Sequence, residues 1–345
     1  MTDWRQLGAV DVDGPTVVTV GTFDGVHRGH RAVLDRAVQA ARGFEAGGPA
    51  RAPVVAVTFD PHPLVVLAPD RAPLLLSGID RRIELLGDAG ADHVLVLPFD
   101  RAVAGWAPGE FVRRVLADTL RAGVVVVGTQ FRFGAKAAGT VDTLRVEGGR
   151  LGFSVDTVEI AAGPGEAAWS STRVRAAVAD GAVREAAEAL GRDHTVDGLV
   201  VEGDHRGRTL GYPTANVPAP ASVAVPADGV YAGTLRRIDR PGAPELPAAI
   251  SVGTNPTFDG VQRRVEAYVL DRDDLELYGV AVRIGFRDHL RGQVRFEDVA
   301  ALVAQMAQDV EQTRVALSRS ERPSPGPSPG RSPGRSPGRH RAAPR

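Results

Sequence analysis

Apolar residues fall in two rhythms along this chain, and the change between them divides it. In the first part, continuous β-branched runs at residues 16–20 (TVVTV), 53–59 (PVVAVTF), 93–97 and 123–127 (GVVVV) read as strands buried on both faces. Between them the period is helical. Val33, Leu34, Ala37, Val38 and Ala41 share one face, and residues 81–86, 109–120, the stretch ending near Ala179, and 183–190 predict further helices. Strand and helix alternating through short connections predict a doubly wound, Rossmann-like parallel sheet.

Near Gly191 the helical period stops. Short strand-like runs at 195–201, 229–238, 247–252, 264–270 and 281–286 are separated by Gly, Pro and Asp, which predicts a small antiparallel β-barrel. Residues 296–317 then form one amphipathic pattern, a C-terminal helix. The expected units are 1–183, 184–318 and a tail, 319–345, whose Ser-Pro-Gly and Arg-Ser-Pro-Gly repeats offer nothing to bury and predict disorder.

Composition narrows the chemistry. The 345 residues contain no cysteine, which excludes disulfides, thiol nucleophiles and zinc-thiolate sites. The only lysine, Lys136, is followed by Ala137 and Ala138, so the phosphate loop GxxxxGK[ST] is absent. No GxGxxG follows the first strand, which disfavours a dinucleotide-binding dehydrogenase. The net charge of −1 hides an asymmetry, since the tail carries seven arginines and one glutamate, leaving the rest acidic. Neither folded unit is therefore a basic platform for nucleic acid. With no apolar run of membrane-spanning length and no apolar leader, a cytoplasmic protein without a membrane partner is expected.

Candidate chemistry gathers at the ends of strands. After the first strand, Gly21, Gly25 and Gly29 permit a sharp turn, and His27 and His30 sit at the start of a helix, where free N–H groups and the dipole favour phosphate. The second strand runs into Asp60-Pro61-His62-Pro63, placing His62 where open α/β sheets bind ligands. The fourth runs into Gln130, Phe131, Arg132 and Phe133, a pair of aromatics suited to stacking on a planar ring or to core packing. Ser170, Ser171 and Thr172 open a helix and Arg175 follows one turn on, the group types that bind a triphosphate.

The string GTFDGVHRGH resembles the GxFDGxHxGH signature of the flavin adenylyltransferase module, a branch of the HxGH nucleotidyltransferases. GTQFRFG is similar to that family's GxxFxFG motif, with Gln130 at a position usually Asn or Asp, and SSTRVR to its ISSTxxR motif, with Trp169 for the usual Ile. In the second unit, Gly203 to Gly211 followed by Pro213-Thr214-Ala215-Asn216 resembles the riboflavin kinase signature, and Val265-Glu266-Ala267-Tyr268-Val269-Leu270-Asp271 its VExxxLD strand. Together they identify the chain as resembling prokaryotic bifunctional riboflavin kinases and FAD synthetases over residues 15–317.

That resemblance implies an FAD synthetase (FMN adenylyltransferase) unit at 1–183 and a riboflavin kinase unit at 184–318. In the first, Gly21, Phe23, Asp24, His27, His30, Ser170, Ser171, Thr172 and Arg175 would meet ATP, with both histidines catalytic. His62, Gln130, Phe131 and Phe133 would meet the flavin. In the second, Gly203, Arg208, Gly211, Thr214 and Asn216 would hold ATP, Thr214 and Asn216 would offer oxygens to Mg²⁺, and Glu266 would be the general base. The implied substrates are riboflavin, FMN and ATP, with no specific nucleic acid; the oligomeric state is not legible. Two competing readings are a kinase alone, with adenylyl transfer impaired at Gln130 or Trp169, and a nucleic-acid-binding protein acting through the tail.

Overall fold

The computed structural model describes residues 1–43, 51–160, 169–203, 207, 210–257 and 260–319. Arg208, with its neighbours 204–206 and 209, and the tail beyond Arg319 lie outside the described residues.

The first module begins with β1 (Thr2–Trp4) and β2 (Thr16–Val20), continues through α1 (Arg28–Gly43), β3 (Val54–Asp60), the short α2 (Pro63–Leu67) and α3 (Ile79–Asp88) to β4 (His93–Pro98), then α4 (Arg101–Ala104) and α5 (Pro108–Phe111). The helical pattern expected at 109–120 is α5 followed by a π-helical segment over Val112–Thr119, whose close is the bond from the Leu120 amide to the Val115 carbonyl. Then come β5 (Ala122–Gly128), α6 (Val141–Leu151), β6 (Ser154–Val158), α7 (Ser171–Ala179) and α8 (Val183–Leu190). All six strands are parallel, in the order β1-β4-β3-β2-β5-β6. The five residues of β2 are all buried, because helices cover both faces.

This order reverses at β2. The chain builds β3 and β4 on one side of it, then returns to place β5 and β6 on the other. In open α/β sheets such a switch point leaves a crevice outside the carboxyl ends of the strands, and the glycine-histidine turn after β2 lies there.

The second module holds β7 (His194–Leu199), β8 (Thr214–Pro218), β9 (Gly229–Arg237), β10 (Leu246–Thr257), β11 (Gly260–Val269), β12 (Ala281–Arg291) and α9 (Val299–Ser318). Its sheet is antiparallel in the order β7-β12-β9-β10-β11-β8. A further bridge, with the Val201 amide donating to the Asn216 carbonyl at 2.8 Å, brings the edges together and curls the sheet around Val196, Ile250, Val265, Ala267, Ile284 and Phe286. Tight packing fixes the small residues: a Cβ on Gly233 would collide with the Gly285 carbonyl and with Ile250.

The modules are knitted together rather than strung on a linker. Leu75 donates to the Ser222 carbonyl at 2.7 Å and accepts from the Ala224 amide at 2.8 Å. Leu76, Val174, Val178, Leu190 and Ala224 form an apolar cluster across the junction. Behind it, His194 is buried with one ring nitrogen 2.8 Å from the Ala224 carbonyl, and desolvation holds its pKa down at about 4. An unfolded chain takes up that proton near pH 6.5 whereas the folded chain resists it, so this part of the stability is full above pH 6.5 and is lost as pH falls toward 4. The expected loss is on the order of 1.4 kcal/mol per pH unit across that window. Melting followed from pH 7 to 4.5 should fall less steeply in His194→Gln than in the wild type, and equal slopes would show that this imidazole protonates without penalty.

Candidate active sites

The turn after β2 is held in an unusual backbone shape. Phe23 and Val26 have φ of 48° and 39°, and Gly25 lies between them at 76°. A β-branched residue in the left-handed region is strained, and such strain persists only where surrounding structure over-determines it. Here the fixing group is Asp24, which is fully buried. Its carboxylate accepts from the Leu76 amide at 2.9 and 3.0 Å, the Ser77 amide at 3.2 Å and Arg175 Nη2 at 2.7 Å. Arg82, buried in α3, is 3.9 Å away and spans Thr58 Oγ1 and the Phe59 and Ser77 carbonyls.

The shape presents two imidazoles. His27 and His30 stack with ring centroids 3.7 Å apart, and Gly29 leaves room for them, since a Cβ there would lie 3.1 Å from the His27 ring. His27 Nδ1 accepts from the His30 amide at 3.4 Å, which puts the neutral ring's proton on Nε2 as a donor. Nδ1 of His30 has no partner among the described residues. Desolvation dominates both rings, lowering His27 to about 4 and His30 well below 6.5. At neutral pH both are therefore uncharged donors.

Around them stand the other polar groups expected from the sequence. Ser170 caps α7 by accepting from the Arg173 amide at 3.3 Å, Ser171 Oγ donates to the Asp24 carbonyl at 2.9 Å, and Thr172 is exposed in the first turn. Arg175 is tethered by Asp24 and by the Leu74 carbonyl at 2.9 Å. His62 caps α2 by accepting from the Leu64 amide at 3.2 Å; its pKa is lowered, mainly by burial, with Asp24 opposing that shift and Arg175 and Arg82 adding to it. The structure thus brings Asp24, Arg175, His62 and the histidine pair to one end of the sheet.

The aromatic pair is split. Gln130 and Phe131 line a cavity of about 680 Å³ beside β5 and α6, together with Thr129, Arg132 and Thr157. Phe133 instead enters the core, 5.7 Å from Phe111, while remaining stacked on Phe131 at 5.4 Å. Neither Phe133 nor His62 lines this cavity. Trp169 is covered by the Arg173 guanidinium at 5.2 Å.

In the second module the expected groups converge by strand register. Glu266 on β11 faces Asn216 on β8 and Ser251 on β10, and Tyr268 faces Thr214. Because side chains alternate along a strand, Thr214, Asn216 and Glu266 share one face. Asn216 Nδ2 reaches the Thr214 carbonyl at 3.2 Å and Oγ1 at 3.4 Å. Gly203 approaches so closely that a Cβ would be 2.7 Å from Asn216 Cγ, and Gly211 has φ of 84°. Next to this seam a cavity of about 520 Å³ is lined by Glu266, Ser251, Thr254, Arg264, Gln293 and Arg295 among others.

Gln293 donates to Ser251 Oγ at 3.0 Å and the Val252 carbonyl at 2.9 Å, a floor that no motif announced. Among the described residues no three His, Cys, Asp or Glu side chains gather to hold a metal. The hydroxyl of Thr214 and the amide oxygen of Asn216 are hard, neutral donors, so a divalent cation would fit there only with anionic oxygens from a substrate completing its shell.

Comparison with known proteins finds a family match for each module. Residues 10–173 match the family described as FAD synthetase, and residues 190–317 the family described as riboflavin kinase. A bifunctional riboflavin kinase/FMN adenylyltransferase of Escherichia coli (strain K12) is 37% identical over 294 residues, 85% of this chain and 90% of the relative. That of Listeria monocytogenes is 34% identical over 308 residues, 88% and 93%. A solved structure described as a macrolide-efflux protein from Streptococcus pneumoniae has the same fold, with TM-score 0.79 and 31% identity over 91% of this chain and 98% of that one. No helix among the described residues here is long and apolar enough to cross a membrane. With both modules matched and 90% of a relative's length covered at 37% identity, the chain belongs to the bifunctional riboflavin kinase/FMN adenylyltransferase family.

Proposed function

We propose that this protein phosphorylates riboflavin to FMN with ATP in the module 184–318, then transfers the adenylyl group of a second ATP to FMN in the module 1–183, giving FAD and pyrophosphate. The observation that carries the reading is that the two sets of groups lie in separate sheets, with no side chain in common.

In the kinase step Glu266 takes the proton of the riboflavin 5′-hydroxyl as that oxygen attacks the γ-phosphorus and ADP leaves. Mg²⁺ is part of the proposal; bound through Thr214, Asn216 and ATP oxygens, it would neutralise charge on the transferred group. Gly203 and Gly211 let the loop backbone lie against phosphate, and Arg208 would add a cation there. Gln293 keeps Ser251 in place beside Glu266.

In the adenylyl step the FMN phosphate is already a nucleophile, so no strong base is needed. It attacks the α-phosphorus and pyrophosphate departs. The neutral His27 and His30 donate N–H groups to the charge that builds on the triphosphate, and the α7 N-terminus with Ser170, Ser171 and Thr172 adds further donors. Asp24 aims Arg175 at the same place. Gln130 and Phe131 at the cavity beside β5 are assigned to the flavin, with Phe133 supporting Phe131 from the core. A cytoplasmic location, where ATP is supplied, belongs to the same reading.

Glu266→Ala is expected to lower riboflavin phosphorylation by about a hundredfold to ten-thousandfold, the range for a lost general base, while FAD formation from supplied FMN stays near normal. Chromatography of the flavins separates the two steps, and a parallel fall in both by a folded variant would break the assignment of one reaction to each module.

His30→Ala is expected to do the reverse. FMN adenylylation should fall by on the order of a hundredfold or more, with riboflavin phosphorylation spared. Were His30 only a packing partner of His27, the melting temperature would drop and turnover would stay near the wild-type value.

A further inference from the structure

The junction between the modules contains a second cationic site, apart from both catalytic ones. A cavity of about 270 Å³ is lined by Arg81 of α3, Arg192 just after α8, Arg236 of β9, and Arg283 and Arg287 of β12, against only two carboxylates, Asp193 and Glu245. Some of this charge is compensated. Arg283 binds Asp197 at 2.6 Å and Glu84 at 2.9 Å, Arg81 shares Glu84 at 2.8 Å, and Arg287 holds Asp193 at 2.8 Å.

Arg192 and Arg236 are different. Arg192 gives its terminal nitrogens to the carbonyls of Gly25 at 2.6 Å and Val26 at 3.2 Å, and neither arginine has a carboxylate partner among the described residues. The Nε–H groups of Arg81, Arg192 and Arg236 are buried with no acceptor among the described residues. Burial, and then repulsion from Arg81 and Arg31, pull the Arg192 guanidinium down to about 9. Buried donors of one sign without acceptors are costly unless a ligand supplies the acceptors.

Guanidinium forks match the oxygens of phosphate, and the two arginines left without a carboxylate call for an oxyanion. The cavity lies below the roughly 300 to 1,000 Å³ typical of sites for drug-sized ligands, which leaves little space for a nucleotide. We propose that the cavity binds inorganic phosphate or pyrophosphate, with Arg81, Arg192 and Arg236 as donors. Since Arg192 also grips the backbone of Gly25 and Val26, such an anion would brace the turn carrying His27 from behind.

Calorimetric titration of the full chain tests this, with pyrophosphate and inorganic phosphate in separate arms, chloride matching the ionic strength, and a non-hydrolysable ATP analogue filling both catalytic sites. The wild type should retain one equivalent of anion binding that the analogue does not displace. Arg236→Gln, which removes no hydrogen bond within the described residues, should weaken that equivalent at least tenfold with its anion-free melting temperature unchanged; Arg236→Ala guards against a misfolded glutamine variant. Uptake in the pyrophosphate arm alone would identify a diphosphate site, and uptake in both arms a site for a single phosphoryl group. Absence of analogue-resistant binding in the wild type, or its survival at full strength in both variants, would overturn the proposal.

Discussion

A single buried carboxylate carries the architecture. Asp24 has no access to water, and its charge is met by two backbone amides, Arg175 and, farther off, Arg82. Each partner belongs to a different part of the chain: the 74–77 segment, α7 and α3. Removing one side of a buried pair of this kind typically costs about 3 to 5 kcal/mol, because the remaining charge is stranded. The network therefore behaves as one unit, and what it fixes is the backbone shape from which His27 and His30 project.

The same network reaches the second module. The 74–77 segment that satisfies Asp24 pairs, through Leu75, with Ser222 and Ala224, and Arg192 returns from the far side to hold the Gly25 and Val26 carbonyls. The strained φ values at Phe23 and Val26 are thus clamped from both modules. On this geometry the adenylyltransferase turn owes part of its rigidity to residues beyond position 190. The dependence is one-sided, since the Asn216 and Glu266 seam is set by register within its own sheet.

Much of this was legible in the sequence wherever burial is two-sided. The strands β2 to β5 are β-branched runs that only a covered sheet explains, and the structure has them within a residue or two of the expected positions. Strands without that covering escaped: β6, SVDTV, is half-buried at an edge, and β1 has only three residues. Helix α6, VDTLRVEGGRL, was hidden by its glycines, although Gly148 is required by the close approach of Phe153. No strand is among those expected around Thr214 and Asn216, yet β8 there is the strand whose register faces Asn216 toward Glu266. Among the candidate site residues, the histidines and Glu266 stand out in the sequence because glycine turns and strand context frame them. Arg82, Arg192 and Gln293 were not, because an arginine or glutamine on a helix or loop carries no signal of burial until tertiary packing supplies one.

The near-absence of lysine is part of the same design. Arginine can hold a carboxylate with two parallel bonds, whereas the lysine ammonium is a point donor. In this chain several long-range ion pairs use that fork: Arg283 with Asp197, Arg184 with Asp288, Arg51 with Asp92, and Arg314 with Asp271 each engage both oxygens. The pair Arg291 and Asp309 matters most for the kinase side. Asp309 is 5% exposed on α9, Arg291 ends β12, and their two bonds of 2.8 and 2.6 Å fix the angle at which the helix lies over the barrel. Two residues beyond Arg291, Gln293 turns back onto Ser251 and Val252 beside Glu266. The fork on α9 thereby fixes where the segment lining the cavity beside Glu266 begins, linking the arginine-rich composition to the floor of that cavity.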